Sequence, residues 1–208
     1  MKALIEERIN TVKSSETYLE INKLEKEGAE ILELISKYGV NPDYNVLKKA
    51  KQFLINVEHW KFMGLDMYQP NVHRNCALDI WDALIIASES DSDLKQLESL
   101  MELSGLGKSV GKDGRRSAKV ATAVLRMLYP EKWGVVDWRV GSILEVVDLR
   151  TKTINLSKVK NGYRRFKKID AQQAVDMQLK YRMFSDLRAS DVDMALFNVS
   201  LEIWPMNS

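Results

Sequence analysis

The sequence has few of the residues that build disulfides and metal clusters. Cys76 is the single cysteine among 208 residues, and His59 and His73 are its two histidines. One cysteine forms no intrachain disulfide, and this set is too small for a cysteine cluster or a typical zinc site. The sequence therefore predicts a fold held by its hydrophobic core, with no metal site and no cofactor.

Long apolar runs are also lacking, since no stretch reaches the length that spans a bilayer. Glu6 and Glu7 place charge too early for a secretory signal peptide. Hydrophobic residues make up 45% and charged residues 29% of the chain, as in an ordinary globular protein. We expect a soluble, cytoplasmic monomer without a membrane partner.

Proline is scarce, with four residues, and glycine is sparse outside one central stretch. Most apolar residues recur at intervals of three and four, which predicts an all-α, compact fold. The predicted helices cover about 3–13, 16–38, 43–57, 75–88, 94–103, 117–128, 138–147, 170–184 and 190–203. Residues 151–156 are the least helical and predict a short extended segment. We expect one domain over 1–208, with 1–45 as a possible N-terminal lobe.

The charge of the chain is unevenly distributed although the net charge is only +2. Residues 1–45 are acidic, and positive charge concentrates at Lys108–Lys119 and Lys158–Lys168. This asymmetry is typical of a protein with one side that faces nucleic acid. Two solvated basic loops are the alternative interpretation.

The central stretch combines a Gly-x-Gly turn, a basic loop and the start of an apolar helix. Backbone N–H groups at such a turn and helix start attract phosphate, and nearby Lys and Arg side chains add to this attraction. The residues predicted to contact a DNA backbone are Gly105, Gly107, Lys108, Gly111, Lys112, Gly114, Arg115 and Arg116. A glycine that merely ends the preceding helix is the alternative.

The run Leu103-Ser-Gly-Leu-Gly107 looks like the helix–hairpin–helix signature, which is usually Leu-Pro-Gly-Val-Gly. Ala118-Lys-Val-Ala121 and Val135-Val-Asp137 extend this to a resemblance with the helix–hairpin–helix DNA glycosylase superfamily, nearest to its 8-oxoguanine branch. The resemblance covers about 95–145. It implies a two-lobed all-α fold around a hairpin core at 93–147, double-stranded DNA as partner, and Lys119 and Asp137 as catalytic residues.

The sequence departs from the family pattern at three places. Ser104 replaces the usual proline, and Trp138-Arg139 stands where the family often has Thr-His or Val-His. Residues 108–118 separate Gly107 from Lys119, which are almost adjacent in the family. Either the hairpin carries an insertion, or Gly111–Gly114 forms the turn, in which case Lys108 or Lys112 is an alternative functional lysine.

The chemistry explains these residue types. A lysine at a helix N-terminus beside Arg115 and Arg116 is more easily neutral, as a nucleophile must be. Its attack on the sugar C1′ displaces the base and leaves a Schiff base, from which strand cleavage by β-elimination follows. An ionised Asp137 stabilises the oxocarbenium-like sugar. A solvent-facing cation at Lys119 and a simple helix N-cap at Asp137 are the alternatives.

A glycosylase must also hold a flipped base, and three residues are candidates for its pocket. Trp138 lies next to Asp137 in the sequence, and Asp191 and Asp193 open the last predicted helix. Helix capping is the alternative for Asp191. The basic run Tyr163–Lys168 predicts a second phosphate contact or, alternatively, a solvated loop with two buried aromatic rings.

The function predicted from this resemblance is base-excision repair by a DNA glycosylase, with possible AP lyase activity and oxidised guanine as a possible substrate. Such a protein would associate with the nucleoid when bound to DNA. A non-catalytic helix–hairpin–helix DNA-binding protein is the first alternative. A helical protein-interaction domain is the second.

Overall fold

A computed structural model of the chain describes residues 2–62, 71–107, 117–151, 153–184 and 186–205. These residues form a compact all-α fold, as predicted, apart from one small antiparallel strand pair. The helices are α1 (Lys2–Lys13), α2 (Glu16–Tyr38), α3 (Tyr44–Lys61), α4 (Ala77–Glu89), α5 (Asp93–Met101), α6 (Lys119–Leu128), α7 (Trp138–Glu145), α8 (Ala171–Tyr181) and α9 (Ala189–Ile203). Strands β1 (Val147–Asp148) and β2 (Thr153–Ile154) follow α7.

Local signals set most helix ends where the sequence predicted them. Five helices begin at a side chain that accepts a backbone N–H of the first turn: Ser15, Asp43, Ser92, Asp137 and Asp170. Gly39 ends α2 with a φ of 50°, a conformation that glycine adopts without strain. One expectation was wrong, because Arg188 rather than Asp191 is the N-cap residue of α9, and Asp191 lies inside its first turn.

Helix α6 lies at the centre of the hydrophobic core, and its residues from Val120 to Leu128 are all buried. Helices α2, α3 and α5 pack on α6, while α1 packs on α9. At Gly28 the backbone of α2 lies so close to the carbonyl of Met127 that a Cβ atom would overlap it. The acidic N-terminal helices therefore share one core with the segment that carries the candidate site.

No helix within the described ranges has both the length and the apolar character needed to cross a bilayer.

Candidate catalytic site at the start of helix α6

The turn after α5 is fixed by a side chain from outside the hairpin. Asn75 accepts the backbone N–H of Ser104 at 2.9 Å and donates its own side-chain N–H to the Ser104 carbonyl, also at 2.9 Å. Proline at this position has no N–H to donate. Ser104, at the position where the helix–hairpin–helix signature usually has proline, therefore makes a hydrogen bond that proline would exclude.

The two hairpin glycines are explained by close packing. Gly105 has a φ of 87° and lies against the buried carboxylate of Glu58, which accepts the Val72 N–H at 2.8 Å. Gly107 lies against Met101, with no room for a Cβ atom. Its N–H donates to the Leu103 carbonyl at 3.3 Å. Backbone geometry thus accounts for both glycines, and their contact with DNA stays a prediction.

The hairpin closes directly from Gly107 to the start of α6. The Ser117 N–H donates to the Gly107 carbonyl at 3.0 Å, and the Ala121 N–H donates to the Leu106 carbonyl at 3.2 Å. Gly107 and Ser117, which flank residues 108–116, are therefore neighbours in the fold. The predicted contacts Lys108, Gly111, Lys112, Gly114, Arg115 and Arg116 lie outside the described residues.

Lys119 is the first residue of α6 and is half-buried. Burial lowers the pKa of its amine, the positive charge of Lys61 lowers it further, and the negative charge of Asp137 opposes both; the net effect is a lowered pKa. Among the described residues, no hydrogen bond or ion pair holds the ammonium form in place. The amine is therefore more easily neutral than an exposed lysine, which is what nucleophilic attack requires.

Asp137 lies in the segment between α6 and α7, and both of its carboxylate oxygens have partners. Oδ1 accepts the backbone N–H groups of Arg139 at 2.9 Å and Val140 at 3.1 Å, and Oδ2 accepts from Lys61 Nζ at 3.2 Å. Burial alone would raise its pKa, but Lys61 and the two N–H groups outweigh burial and lower it. The carboxylate is therefore ionised and oriented at neutral pH.

Lys61 is the site residue that the sequence analysis missed. It is the last residue of α3, and only 16% of its side chain is exposed, so its ion pair with Asp137 is largely removed from solvent. Lys61 acts on the charge of both Lys119 and Asp137. No local motif marks it, because Asp137 is 76 positions away in the chain.

Trp138 belongs to an aromatic cluster beside Asp137. Its ring meets Tyr163 edge to face at 5.7 Å between centroids and lies tilted against Trp204 at 5.3 Å. The guanidinium of Arg139 lies 4.8 Å from the centre of the Trp138 ring. The cluster surrounds the residue that directly follows Asp137 in the chain, and its contact with a flipped base stays a prediction.

Asp193 is buried behind the site in an ion-pair network. Its carboxylate accepts from Arg126 Nε at 3.1 Å and from the Tyr181 hydroxyl at 3.0 Å. Burial raises its pKa, Arg126 and Lys61 oppose that rise, and Asp137 adds to it. These partners give Asp193 a structural role, and its contact with a base stays a prediction.

Asp191 contacts the N-terminal helices and not the aromatic cluster around Trp138. Its carboxylate accepts from the Tyr18 hydroxyl at 3.1 Å and pairs with Lys13 at 3.4 Å. These contacts connect α9 to α1 and α2. A structural role accounts for Asp191 as well, and none of its contacts with described residues involves Lys119.

The described part of the chain contains no cluster of three or more His, Cys, Asp or Glu side chains that could hold a metal ion.

Comparison of the chain with protein-family models, with curated protein sequences and with solved structures finds no match. Membership of the glycosylase superfamily therefore stays a prediction from the motifs, and the function has to be inferred from the residues of the site.

Proposed function

We propose that this protein is a DNA glycosylase that removes a damaged base through a lysine Schiff base and has associated AP lyase activity. Oxidised guanine is the substrate class that the motifs favour. One observation carries the proposal. Lys119, the half-buried first residue of α6, has a lowered pKa and interacts electrostatically with the ionised carboxylate of Asp137. A more easily neutral amine beside an anion is the combination that attack on a glycosidic carbon needs.

In this mechanism the neutral amine of Lys119 attacks the sugar C1′ as the C1′–N bond to the base breaks. The departing base takes the bonding electron pair and receives a proton. Opening of the sugar ring leaves an iminium between Lys119 and C1′. Loss of a proton from C2′ then expels the 3′ phosphate by β-elimination, and water releases Lys119.

Asp137 acts by its charge rather than by forming a bond. As the base departs, positive charge develops at C1′ and the ring oxygen, and a nearby carboxylate stabilises it. The hydrogen bonds to Arg139 and Val140 and the ion pair with Lys61 already fix its orientation. Little reorganisation is therefore needed when the charge appears.

Borohydride trapping tests the proposal. The protein is incubated with a duplex that carries 8-oxoguanine opposite cytosine, or with a duplex that carries an abasic site, and is then reduced. We expect a covalent complex, and we expect mass spectrometry to place the adduct on Lys119. Lys119→Gln should abolish the adduct, whereas Lys95→Gln, at an exposed lysine of α5, should leave it unchanged.

The position of the adduct separates the candidate lysines. An adduct on Lys61, Lys108 or Lys112 would overturn the assignment of Lys119 while retaining Schiff-base chemistry. If neither adduct nor base release occurs on a panel of damaged duplexes, the enzymatic function is wrong. Asp137→Asn also separates the two functions: in an enzyme it should abolish base release, whereas in a simple binder it should leave affinity for undamaged DNA nearly intact.

A further inference from the structure

The segment that follows α7 is rich in cations and lacks acids. Between residues 149 and 169 the sequence has eight Lys and Arg residues and no Asp or Glu. Over the whole chain Lys and Arg total 31 and Asp and Glu total 29, so the remaining residues carry 23 cations and all 29 acids. Such a run attracts an anionic surface unless its own protein neutralises it.

Three anchors hold the second half of this segment, residues 158–168, against the candidate site. The Gly162 N–H donates to the Ser142 hydroxyl of α7 at 3.0 Å, and the ring of Phe166 is buried against Gly141. The Ile169 carbonyl accepts the N–H of Ala118, the residue before Lys119, at 2.7 Å. The segment therefore has a defined path that joins the helix of Asp137 to the helix of Lys119.

Several cationic side chains of residues 158–168 are exposed. The exposed cations of the segment that form no ion pair within the described residues are Lys158, Lys160, Arg164 and Lys167. Arg165 differs from them, because it pairs with Glu145 at 2.5 Å. Tyr163 is 52% exposed and meets the ring of Trp138, next to Asp137, edge to face. The segment that packs on α7 thus combines exposed cations with a partly exposed aromatic ring.

We propose that residues 158–168 form a second DNA-contact surface, which binds backbone phosphates through its four exposed cations and stacks Tyr163 on an unpaired base. This deepens the proposed function, on which it rests for the identity of the ligand as DNA. Cations on a rigid path contact phosphates independently of sequence. An exposed aromatic ring among them is the arrangement that binds unstacked nucleotides.

A salt titration of DNA affinity tests this surface. The probe is a short duplex with a tetrahydrofuran abasic-site analogue, measured by fluorescence anisotropy between about 50 and 200 mM salt. We compare wild type with the variant K158Q/K160Q/R164Q/K167Q. Each phosphate contact that is lost should make the fall of log affinity with log salt less steep by about 0.9, and the variant should bind at least about tenfold more weakly at low salt.

A matched control removes the same charge from another face. The variant K23Q/K26Q/K48Q/K49Q changes four exposed lysines of α2 and α3. It should keep the wild-type slope. Tyr163→Ala should weaken binding to the abasic duplex at least about fivefold and change the salt slope little, because the ring contributes stacking rather than charge.

The outcomes separate this proposal from the glycosylase function. If wild type forms the Lys119 adduct but both quadruple variants have equal slopes, the second surface is wrong and the enzyme stands. If the slope depends on residues 158–167 but no adduct forms, the surface stands and the enzyme is wrong. Binding of residues 158–167 to anionic phosphatidylserine vesicles, without binding to DNA, would overturn the DNA assignment in favour of a membrane surface.

Discussion

At the residue scale, the charges of three side chains affect one another: Lys61, Lys119 and Asp137. Two cations surround one carboxylate, but only Lys61 forms an ion pair with it. Lys61 therefore neutralises part of the attraction that Asp137 exerts on Lys119 and also repels the Lys119 ammonium. Both effects favour a neutral Lys119. Lys61 is thus a positioning residue that acts on the chemistry through its two neighbours.

Substitution of Lys61 should reverse this effect. In Lys61→Gln a like charge disappears and Asp137 is no longer neutralised, so the pKa of Lys119 should rise towards its ordinary value. Competitive acetylation followed by mass spectrometry measures the pH at which Lys119 becomes reactive. That pH should move upwards, and borohydride trapping at neutral pH should decrease.

Lys49→Gln is the control for this measurement, because Lys49 also lies on α3 but is half exposed and pairs with Glu30. It should leave the reactivity of Lys119 unchanged. A Lys119 profile that is identical in wild type and Lys61→Gln would contradict the role of Lys61.

The negative charge of Asp137 should also contribute to the free energy of unfolding. Its pKa is lower in the folded protein than the ordinary value of 3.8, so the ionised form stabilises the fold. That contribution is complete above the ordinary pKa and is lost as the pH falls through the folded value. Asp137→Asn keeps an oxygen that caps α7 but loses the ion pair, at a cost of about 1 to 2 kcal/mol near neutral pH.

Urea denaturation at several pH values checks this cost. The difference in unfolding free energy between wild type and Asp137→Asn should be largest above about pH 5 and should shrink below about pH 4. Asp43→Asn makes the same exchange at the exposed N-cap of α3, which has no ion pair among the described residues, and should cost less. A difference that grows on acidification would show that Asp137 does not stabilise the fold as an anion.

At the scale of elements, the local sequence predicts the helices and most of their ends. It does not predict which distant residues a helix contacts. Ser15, Gly39 and Asp170 were predictable because each forms its capping bond within a few residues. The extension of α3 to Lys61 was not predictable, because the last turn of α3 contacts Asp137, the N-cap residue of α7. The hydrogen bond between the Gly107 carbonyl and the Ser117 N–H was not predictable either, because residues 108–116 separate the two in the chain.

The contact between α2 and α6 depends on the absence of a side chain at Gly28. Gly28→Ala would raise helix propensity by about 1 kcal/mol, but its methyl group would overlap the Met127 carbonyl. Overpacking of this kind costs about 1 to 3 kcal/mol, and a rigid backbone neighbour puts it at the upper end. We therefore expect a net loss of stability, measured as a lower midpoint of thermal unfolding.

Ser36→Ala is the matched control on α2, because Ser36 is exposed. It should be neutral or slightly stabilising, since alanine has the higher helix propensity. If Gly28→Ala were as stable as Ser36→Ala, the close approach of α2 to α6 would be wrong.

At the scale of the whole molecule, one buried arginine connects helices from both ends of the chain. Arg126 of α6 is fully buried and pairs with Asp193 of α9 and with Glu25 of α2. Its guanidinium also lies 5.8 Å from the ring centre of Trp60 on α3. The sequence alone could not predict this network, because its partners are 67 and 101 positions from Arg126.

Removal of Arg126 should therefore destabilise the whole fold. Arg126→Met leaves the buried carboxylate of Asp193 without its cation, while Glu25 keeps its pair with Arg188, and loss of a buried partner typically costs about 3 to 5 kcal/mol. Chemical denaturation followed by circular dichroism measures the loss. Arg165→Gln, which breaks a half-exposed pair with Glu145, should cost less than about 1 kcal/mol. A loss below that value for Arg126→Met would show that the network does not hold the helices together.

The Asp137 carboxylate both caps α7 and carries a negative charge, and these two roles limit which residues can replace it. One oxygen begins a helix and the other carries the charge that the proposed chemistry uses. Of the residues that cap helices well, Asp alone is anionic, and Asn resembles it most closely in shape. If the proposed function is correct, a single exchange to Asn would thus give a folded protein that has lost the proposed reaction but keeps its surfaces, so a catalyst and a pure binder of this architecture would be one mutation apart.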